Sequence, residues 1–192
     1  MDKCKTRCAW VTHDPIYIRY HDEEWGVPIF NDRLLFEFLI LEGAQAGLNW
    51  LTILKRRDNY RLCFDHFDAE KIASYDDYRY QKLLNNTGII RNRLKIQSTI
   101  TNAQAYLSVL KEFSTFSDYI WQFVNKKPIH NHWKSHEKIP TTTAQSDAMS
   151  KDLKKRGFKF VGSTICYAYM QAVGMVNDHL ENCFRHDELI LK

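Results

Sequence analysis

Two cysteines and two histidines lie in pairs at opposite ends of this chain. Cys8 and His21 are separated by twelve residues, and His179 and Cys183 by three. Two thiolates and two imidazoles can fill the tetrahedral shell of a zinc ion, and a shell with no open position is typical of a structural site. The H-x3-C spacing fits one helical turn, which predicts that both side chains lie on one helix face. About 158 residues separate the pairs, so a shared zinc ion would join the two ends of the chain.

Other interpretations of these residues stay open. A cysteine is commonly a small buried hydrophobic residue, and an isolated histidine is more often a core or surface residue than a ligand. Cys4 lies four residues before Cys8, and His186 lies three residues after Cys183. Spacing alone does not exclude either of them as a ligand.

Two further segments combine aromatic and acidic side chains: residues 10–26 and residues 41–50. In the second, Glu42 ends a strongly apolar stretch, where a carboxylate is costly unless it is paired or faces a cleft. A pocket for a base extruded from DNA uses aromatic walls for stacking and one or two polar groups at the base edge. The aromatic side chains that could form such walls are Trp10, Tyr17, Tyr20 and Trp50. Glu42 and Tyr20 could then contact the edge of the base. The alternative is that the tryptophans are core residues and that Glu42 caps a turn.

The segment 153–166 is basic and contains two glycines, Gly157 and Gly162. It predicts one helix that ends at Gly157, a short turn, and a second helix that begins after Gly162. The first backbone N–H groups of a helix are unsatisfied and lie at its positive dipole end, where they can bind phosphate. Lys159, Ser163 and Thr164 would lie beside that phosphate. The alternative is an ordinary packing corner between two helices with solvated lysines.

These groups must be positioned mainly by helices, because four prolines and seven glycines are few for a chain of 192 residues. Apolar periodicity predicts helices from Asn31-Asp32 towards Gly43, after Gly47, and over 78–86, 91–110, 116–124 and 163–173. Ser146 is predicted to cap a further helix that ends at Gly157. Residues 125–143 contain Pro128, Pro140 and three histidines (His130, His132 and His136), and are predicted to form a solvated loop. We find no convincing alternating strand, so the expected fold class is all-α.

Length and composition indicate one intracellular domain over residues 1–192. The net charge of +4 is only mildly basic, whereas aromatic content is high at 14%. Five cysteines, an odd number, follow a charged start without a secretory signal, which favours a reducing cytoplasm over a disulfide scaffold. No apolar run is long enough to span a membrane. Nothing suggests an interface helix, so we expect a monomer.

The motifs resemble those of the DNA-3-methyladenine glycosylase I family, within the helix-hairpin-helix glycosylases. The similarity lies in C-x-W-V at residues 8–11, L-E-G-x-Q-A-G-L-x-W at 41–50, Gly88 to Arg93, and residues 140–179. It therefore covers nearly the whole chain. The departures are Ala44 and Asn49 at variable positions, the added Cys4, and a distinct C-terminal tail.

The resemblance implies an enzyme of base-excision repair that hydrolyses the N-glycosidic bond of 3-methyladenine in double-stranded DNA and releases the free base. It implies that Glu42 contacts the alkylated base, that Trp50 stacks on it, and that Tyr20, Tyr17 and Trp10 complete the pocket. Gly47 and Leu48 would lie at the gap left in the duplex, with Leu48 as an apolar plug. One structural Zn²⁺ would be bound by Cys8, His21, His179 and Cys183.

Asp178 is a second catalytic candidate, because many helix-hairpin-helix glycosylases use an aspartate in that region. The family resembled here is thought to lack that aspartate. Two rival functions remain: a non-catalytic DNA-binding module with a structural zinc, and a zinc hydrolase. The second needs an open coordination position, which a Cys2His2 shell does not offer.

Overall fold

A computed structural model describes residues 5–191, and the elements in it are mainly helical. The helices are α1 (Pro15–Arg19), α2 (Asp32–Gln45), α3 (Trp50–Leu54), α4 (Arg57–Cys63), α5 (Ala69–Ala73), α6 (Asp77–Leu84), α7 (Arg93–Val109), α8 (Phe116–Trp121), α9 (Ala144–Lys155), α10 (Ser163–Ala172) and α11 (Phe184–Ile190). A π-helical turn, Tyr20–Glu24, follows α1, and 3-10 turns occur at Asp65–Phe67, Gln122–Val124 and His136–Lys138. Among these residues, no helix is long and apolar enough to cross a membrane.

Helix α2 lies at the centre of the fold. Its residues 35–44 are all buried, which is the pattern of a core helix rather than of an amphipathic surface helix. Helices α3, α7, α8 and α10 pack against it. It begins after Asn31, whose side chain accepts a hydrogen bond from the Leu34 N–H, and it continues two residues beyond Gly43. The sequence therefore predicts the start of α2 correctly and its end too early.

A small parallel sheet corrects the expectation that the chain has no strand. Strand β1 (Ile129–His130) pairs with β2 (Val176–Asn177), and Trp133 bridges to Leu180 just beyond. Strands of two residues are too short to produce a periodic pattern. The sheet ties the predicted loop at 125–143 to the segment that carries His179 and Asp178.

Helix α9 starts three residues earlier than predicted, because Thr143 is its N-cap and not Ser146. The Thr143 hydroxyl accepts from the Ser146 N–H, and the Ser146 hydroxyl accepts from the Thr143 N–H. This reciprocal pair is a capping box. Ser146 is the inner member of that box, so it resembles a cap residue in sequence while lying within the first helical turn.

The expectation that His179 and Cys183 share a helical turn is wrong. His179 lies in extended chain just after β2, and Cys183 is the N-cap of α11. The Asn177 side chain accepts from the His179 N–H, and the Cys183 N–H donates to the Leu180 carbonyl at 2.8 Å. A strand exit followed by a tight turn therefore brings the two side chains together.

Candidate active site and metal centre

The two ends of the chain meet at a buried cluster of Cys8, His21, His179 and Cys183. Their ligand atoms all lie within 4.8 Å of one another. Cys183 Sγ lies 3.4 Å from His21 Nε2 and 3.4 Å from His179 Nδ1, and Cys8 Sγ lies 3.6 Å from His179 Nδ1. The quartet predicted from sequence is thus assembled in space.

The donor set of this cluster fits a tetrahedral zinc ion. Zn–S bonds of about 2.3 Å and Zn–N bonds of about 2.0 Å place sulfur and nitrogen ligands about 3.5 Å apart in a tetrahedron. The observed sulfur–nitrogen distances of 3.4–3.6 Å agree with that value. The two cysteine side chains also interact with each other. Their hydrogen bond lowers the pKa of Cys183, and hydrogen bonds to the His179 and His21 imidazoles lower it further. The same Cys8–Cys183 hydrogen bond raises the pKa of Cys8.

Outer groups fix the orientation of both imidazole rings. His21 Nδ1 lies 2.8 Å from an Asp22 carboxylate oxygen, and Arg7 binds the same carboxylate. His179 Nε2 lies 3.0 Å from the Trp25 carbonyl. Such partners for the second ring nitrogen are typical of metal-bound histidines.

The structure excludes His186, one of the two alternative ligand residues, from the Cys2His2 cluster. His186 is buried, but its Nδ1 contacts the Asp187 carboxylate and its Nε2 contacts the Asn131 carbonyl. Both ring nitrogens are therefore engaged outside the cluster. The other competitor, Cys4, lies outside the described residues.

A cavity of about 280 Å³ lies beside this cluster, and aromatic side chains form most of its wall. It is lined by Trp10, Tyr17, Tyr20, Trp25, Glu42, Gln45, Trp50, His136, Ile139, Ala168 and Gln171. The volume is near the lower end of the range of about 300–1,000 Å³ for small-molecule sites, which suits a single base. All five residues predicted for the pocket lie in this wall.

The π-helical turn connects the cavity to the Cys2His2 cluster. Tyr20 and His21 are adjacent in it and both buried, yet Tyr20 lines the cavity whereas His21 belongs to the cluster. Single π-helical turns often occur at functional sites. Here the turn places Tyr20 in the cavity wall and the next residue, His21, in the Cys2His2 cluster.

Helix α2 carries two buried glutamates with opposite environments. The Glu37 carboxylate binds the guanidinium groups of Arg57 and Arg61 at 2.6 and 2.8 Å. Glu42 is 4% exposed, and no described side chain forms a hydrogen bond or ion pair with it. Burial raises the pKa of Glu42 to about 8. The unpaired carboxyl in the aromatic wall is the kind of perturbed group that marks a functional site.

Trp50 and Tyr20 form adjacent parts of the wall, with ring centroids 5.5 Å apart. Burial and then the nearby Glu42 charge raise the pKa of Tyr20 well above its usual value, so its hydroxyl stays protonated. Within residues 5–191, the buried Trp50 Nε1 has no hydrogen-bond partner. The residues of the cavity wall therefore include two hydrogen-bond donors, the Tyr20 hydroxyl and the Trp50 indole N–H, and one carboxyl, that of Glu42.

Sequence reasoning missed several residues of the wall. Trp25 belongs to the aromatic segment 10–26, and its ring lies 5.0 Å from that of Trp10. Ala168 and Gln171 are three residues apart on α10, so they share one face. His136 was expected in a solvated loop; it is exposed, yet it lies at the cavity wall. Trp25 and Gln45 lie within the motif segments 10–26 and 41–50, whereas His136, Ile139, Ala168 and Gln171 come from segments distant in sequence.

Asp178 is buried and lies outside the cavity wall. Its carboxylate accepts hydrogen bonds from Asn131, Trp133, Tyr167 and Gln171 at 2.7–2.8 Å. Four neutral donors therefore occupy its two oxygens. The contacts fasten the 125–143 segment and α10 to the chain just before His179.

A larger cavity of about 500 Å³ lies on the other side of Tyr20. Some of the charged residues in its wall pair with each other: Arg57 with Glu24 at 2.5 Å and Arg61 with Asp58 at 3.2 Å. The smaller cavity instead contains the buried Glu42 carboxyl, whose pKa is raised to about 8 by burial, so the smaller cavity is the better candidate active site.

Two loops at helix ends carry exposed side chains. The first is the turn at residues 46–49 between α2 and α3, which we call the plug turn; Leu48 in it is 41% exposed. The second is the loop at residues 156–162 between α9 and α10, which we call the hairpin loop. Gly162 is the N-cap of α10 and offers no side chain to its first N–H groups. Lys159 and Thr164 are exposed, and Ser163 is half-buried.

The chain matches proteins named as methyladenine glycosylases over nearly its whole length. The model of the methyladenine glycosylase family matches residues 10–186. DNA-3-methyladenine glycosylase 1 of Escherichia coli (strain K12) is 53% identical over 177 residues, which cover 92% of this chain and 95% of that protein. DNA-3-methyladenine glycosylase of Haemophilus influenzae is 51% identical over 178 residues, 93% of this chain and 96% of that protein.

Solved structures give the same result. A crystal structure of 3-methyladenine DNA glycosylase I superposes with a TM-score of 0.92 at 55% identity and covers 94% of this chain and 100% of that one. These matches point to the same family as the sequence motifs, and they cover the helices that form the aromatic cavity. The chain belongs to the methyladenine glycosylase family.

Proposed function

We propose that this protein is a DNA glycosylase that hydrolyses the N-glycosidic bond of 3-methyladenine in alkylated double-stranded DNA, leaving an abasic site and the free base. The observation that carries the proposal is the unpaired, buried Glu42 carboxyl inside an aromatic cavity of one-base size. The family and its relatives named for this activity support it. A structure of a 3-methyladenine DNA glycosylase I variant in complex with 3-methyladenine, 34% identical to this chain, has a TM-score of 0.91 and covers 94% of this chain and 97% of that one.

Selectivity follows from charge. An adenine methylated at N3 in DNA is a cation, so it is attracted to the faces of Trp50 and Trp10. Glu42 is mostly protonated at pH 7 in the free cavity, because its pKa is about 8. A cationic base lowers that pKa and favours the carboxylate, which then accepts a strong hydrogen bond from the base edge. Unmodified adenine has no charge and gains little from either interaction.

The reaction needs no strong acid for the leaving group. The cationic base departs as a neutral molecule, water adds its oxygen to the sugar carbon, and one proton is released. Tight binding of the cation alone stabilises the ground state and does not accelerate this step. The carboxylate of Glu42 therefore also has to favour the positive charge that develops on the sugar, and we assign it this electrostatic role together with base binding.

The plug turn and the hairpin loop are assigned to the DNA. Flipping a base costs a few kcal/mol of stacking and pairing, and the apolar Leu48 at the tip of the plug turn would fill the gap, with Gly47 allowing close approach. Lys159, Gly162, Ser163 and Thr164 would bind phosphate at the start of α10, as in a helix-hairpin-helix. Phosphate contacts position a protein without reading sequence, which suits an enzyme that must examine any sequence.

The metal centre is assigned a structural Zn²⁺. Four protein ligands leave no position for a catalytic water, so the ion would hold the termini together and fix the π-helical turn. In this assignment residues 1–192 form one monomeric glycosylase domain. Most of the base pocket comes from residues 8–50, with His136, Ile139, Ala168 and Gln171 completing its wall, and the hairpin comes from about 146–174.

Incubation with methylated duplex DNA tests the proposal. We expect 3-methyladenine among the released bases, identified by chromatography, and an equal number of abasic sites. Folded, zinc-loaded protein that binds this DNA and releases no base would instead support a non-catalytic DNA-binding module.

A further inference from the structure

Helix α7 contacts the plug turn through one lysine. The Lys95 ammonium donates hydrogen bonds to the carbonyls of Ala44 and Ala46 at 2.8 and 2.7 Å. These carbonyls lie at the C-terminal end of α2, where backbone oxygens lack helical partners and the dipole favours a cation. Burial lowers the pKa of Lys95, in agreement with an amine drawn away from solvent. Lys95 therefore holds the base of the turn that presents Leu48.

The same helix contacts the hairpin loop through one asparagine. Asn102 is 3% exposed, its Nδ2 donates to the Lys159 carbonyl at 3.1 Å, and its Oδ1 accepts from the Lys159 N–H at 2.7 Å. A side chain that binds both backbone groups of one residue fixes the local chain direction. The next residue, Phe160, has a positive φ of 55°, a conformation that surrounding contacts must maintain.

Lys95 and Asn102 lie on one face of α7. They are seven residues apart, which is two helical turns and about 10 Å along the axis. A third contact closes the arrangement: a Cβ at Gly43 on α2 would lie 3.2 Å from the Phe160 Cβ. The plug turn and the hairpin loop are thus both attached to one rigid helix, at two points of fixed separation.

We infer that α7 is a spacer that sets the distance between the plug turn and the hairpin loop, with Lys95 and Asn102 as positioning residues. This inference rests on the proposed function. A hairpin bound to phosphate can direct Leu48 into the gap beside a flipped base only if the two loops keep a constant offset. Neither residue lines the base cavity, so both act on the engaged DNA and not on the free base.

The test compares Lys95→Met, Asn102→Ala and the double variant with wild type, using single-turnover release of 3-methyladenine from methylated duplex DNA. Gln97→Ala is the matched control, because Gln97 is an exposed residue of α7 whose side chain forms no hydrogen bond or ion pair with residues 5–191. The affinity for free 3-methyladenine, measured by calorimetry, reports whether the base pocket is intact. Release from single-stranded methylated DNA reports the chemistry without a duplex gap.

We expect each single variant to lose about tenfold in rate on the duplex, since a misplacement of about 1 Å can cost up to a hundredfold. Affinity for the free base and the Gln97→Ala rate should stay within about twofold of wild type, and Lys95→Met should lose much less on single strands than on duplex. The rate of the double variant on duplex DNA should fall by less than the product of the two single reductions. Breaking one attachment already allows the distance between the plug turn and the hairpin loop to vary, so breaking the second adds little.

Three results would overturn the inference: wild-type rates on duplex in both single variants, equal losses on single strands and duplex for Lys95→Met, or fully multiplicative losses in the double variant. Failure of the proposed function is distinguishable, because wild-type protein would then release no base at all.

Discussion

Glu42 differs from the other charged residues of the central helix because the described residues give it neither an ion pair nor a hydrogen bond, whereas even Asp32 accepts two backbone N–H groups. Its ionisation is opposed by burial alone, whereas the Glu37 charge is matched by Arg57 and Arg61. The fold thus tolerates an unpaired carboxyl in its core, and this carboxyl lies in the wall of the base cavity. Such a carboxyl is neutral in the free enzyme and becomes charged when a cation enters.

This environment predicts a pH-dependent stability. The pKa of Glu42 rises from 4.5 to about 8 on folding, so the folded state binds more protons than the unfolded state between those values. Stability is therefore lost as pH rises across this window, by at most about 1.4 kcal/mol per pH unit. Glu42→Gln should remove this loss. Thermal melting from pH 5 to 9 should show the variant gaining on wild type as pH increases, and a constant difference would contradict the assignment.

Trp50 should provide most of the stacking for the base. Trp50→Ala is expected to weaken binding of free 3-methyladenine by about tenfold or more, because stacking contributes about 1–3 kcal/mol per base. Trp50→Phe, which keeps an aromatic face, is the control and should retain most of the affinity. Equal affinities of Trp50→Ala and wild type in calorimetry would remove Trp50 from the pocket.

At the residue scale, the five residues that the motif resemblance assigned to a base pocket line one cavity. The cavity wall includes Glu42, Trp50, Tyr20, Tyr17 and Trp10. Gln171 and His136 could not be found that way, because only the folded chain brings α10 and the 125–143 segment to the cavity. The pKa of Glu42 was also beyond reach, since it depends on the absence of a partner in three dimensions.

At the scale of elements, α10 begins directly after the hairpin loop, and no described side chain caps its first backbone N–H groups. Because Asn102 holds the Lys159 backbone, removing the Lys159 side chain should leave the loop in place while deleting one charge. Lys159→Ala should weaken duplex binding, and the slope of log affinity against log salt should fall by about 1. Lys126→Ala is the control, since Asp118 already pairs with Lys126. An unchanged salt slope in Lys159→Ala would remove this contact from the DNA interface.

Helix boundaries were predictable where local chemistry determines them. Asn31 caps α2 as expected, and α7 and α10 end within one or two residues of the predicted positions. Errors arose where a tertiary contact or a reciprocal cap decides the structure, as at Ser146 and in the strands β1 and β2. The His179–Cys183 turn was misjudged because helical spacing and a strand exit give the same sequence interval.

At the scale of the whole molecule, the Cys2His2 cluster connects residues near both termini. Closing a loop that spans most of the chain removes much entropy from the unfolded state, and metal binding adds directly to folding free energy. Cys8→Ser should therefore lower zinc content and melting temperature together. Cys63→Ser is the matched control, because Cys63 lies outside the cluster. Full zinc content in Cys8→Ser would show that the quartet is wrongly assigned.

In the proposed mechanism, base release depends on the Glu42 carboxyl in the aromatic cavity. The most direct measurement is the single-turnover rate of 3-methyladenine release from methylated duplex DNA, for wild type and for Glu42→Gln. We predict that wild type releases 3-methyladenine while 7-methylguanine stays in the DNA, and that Glu42→Gln is at least about tenfold slower. Equal rates for the two proteins would contradict the role of Glu42, and absence of release by folded wild type would contradict the glycosylase activity itself.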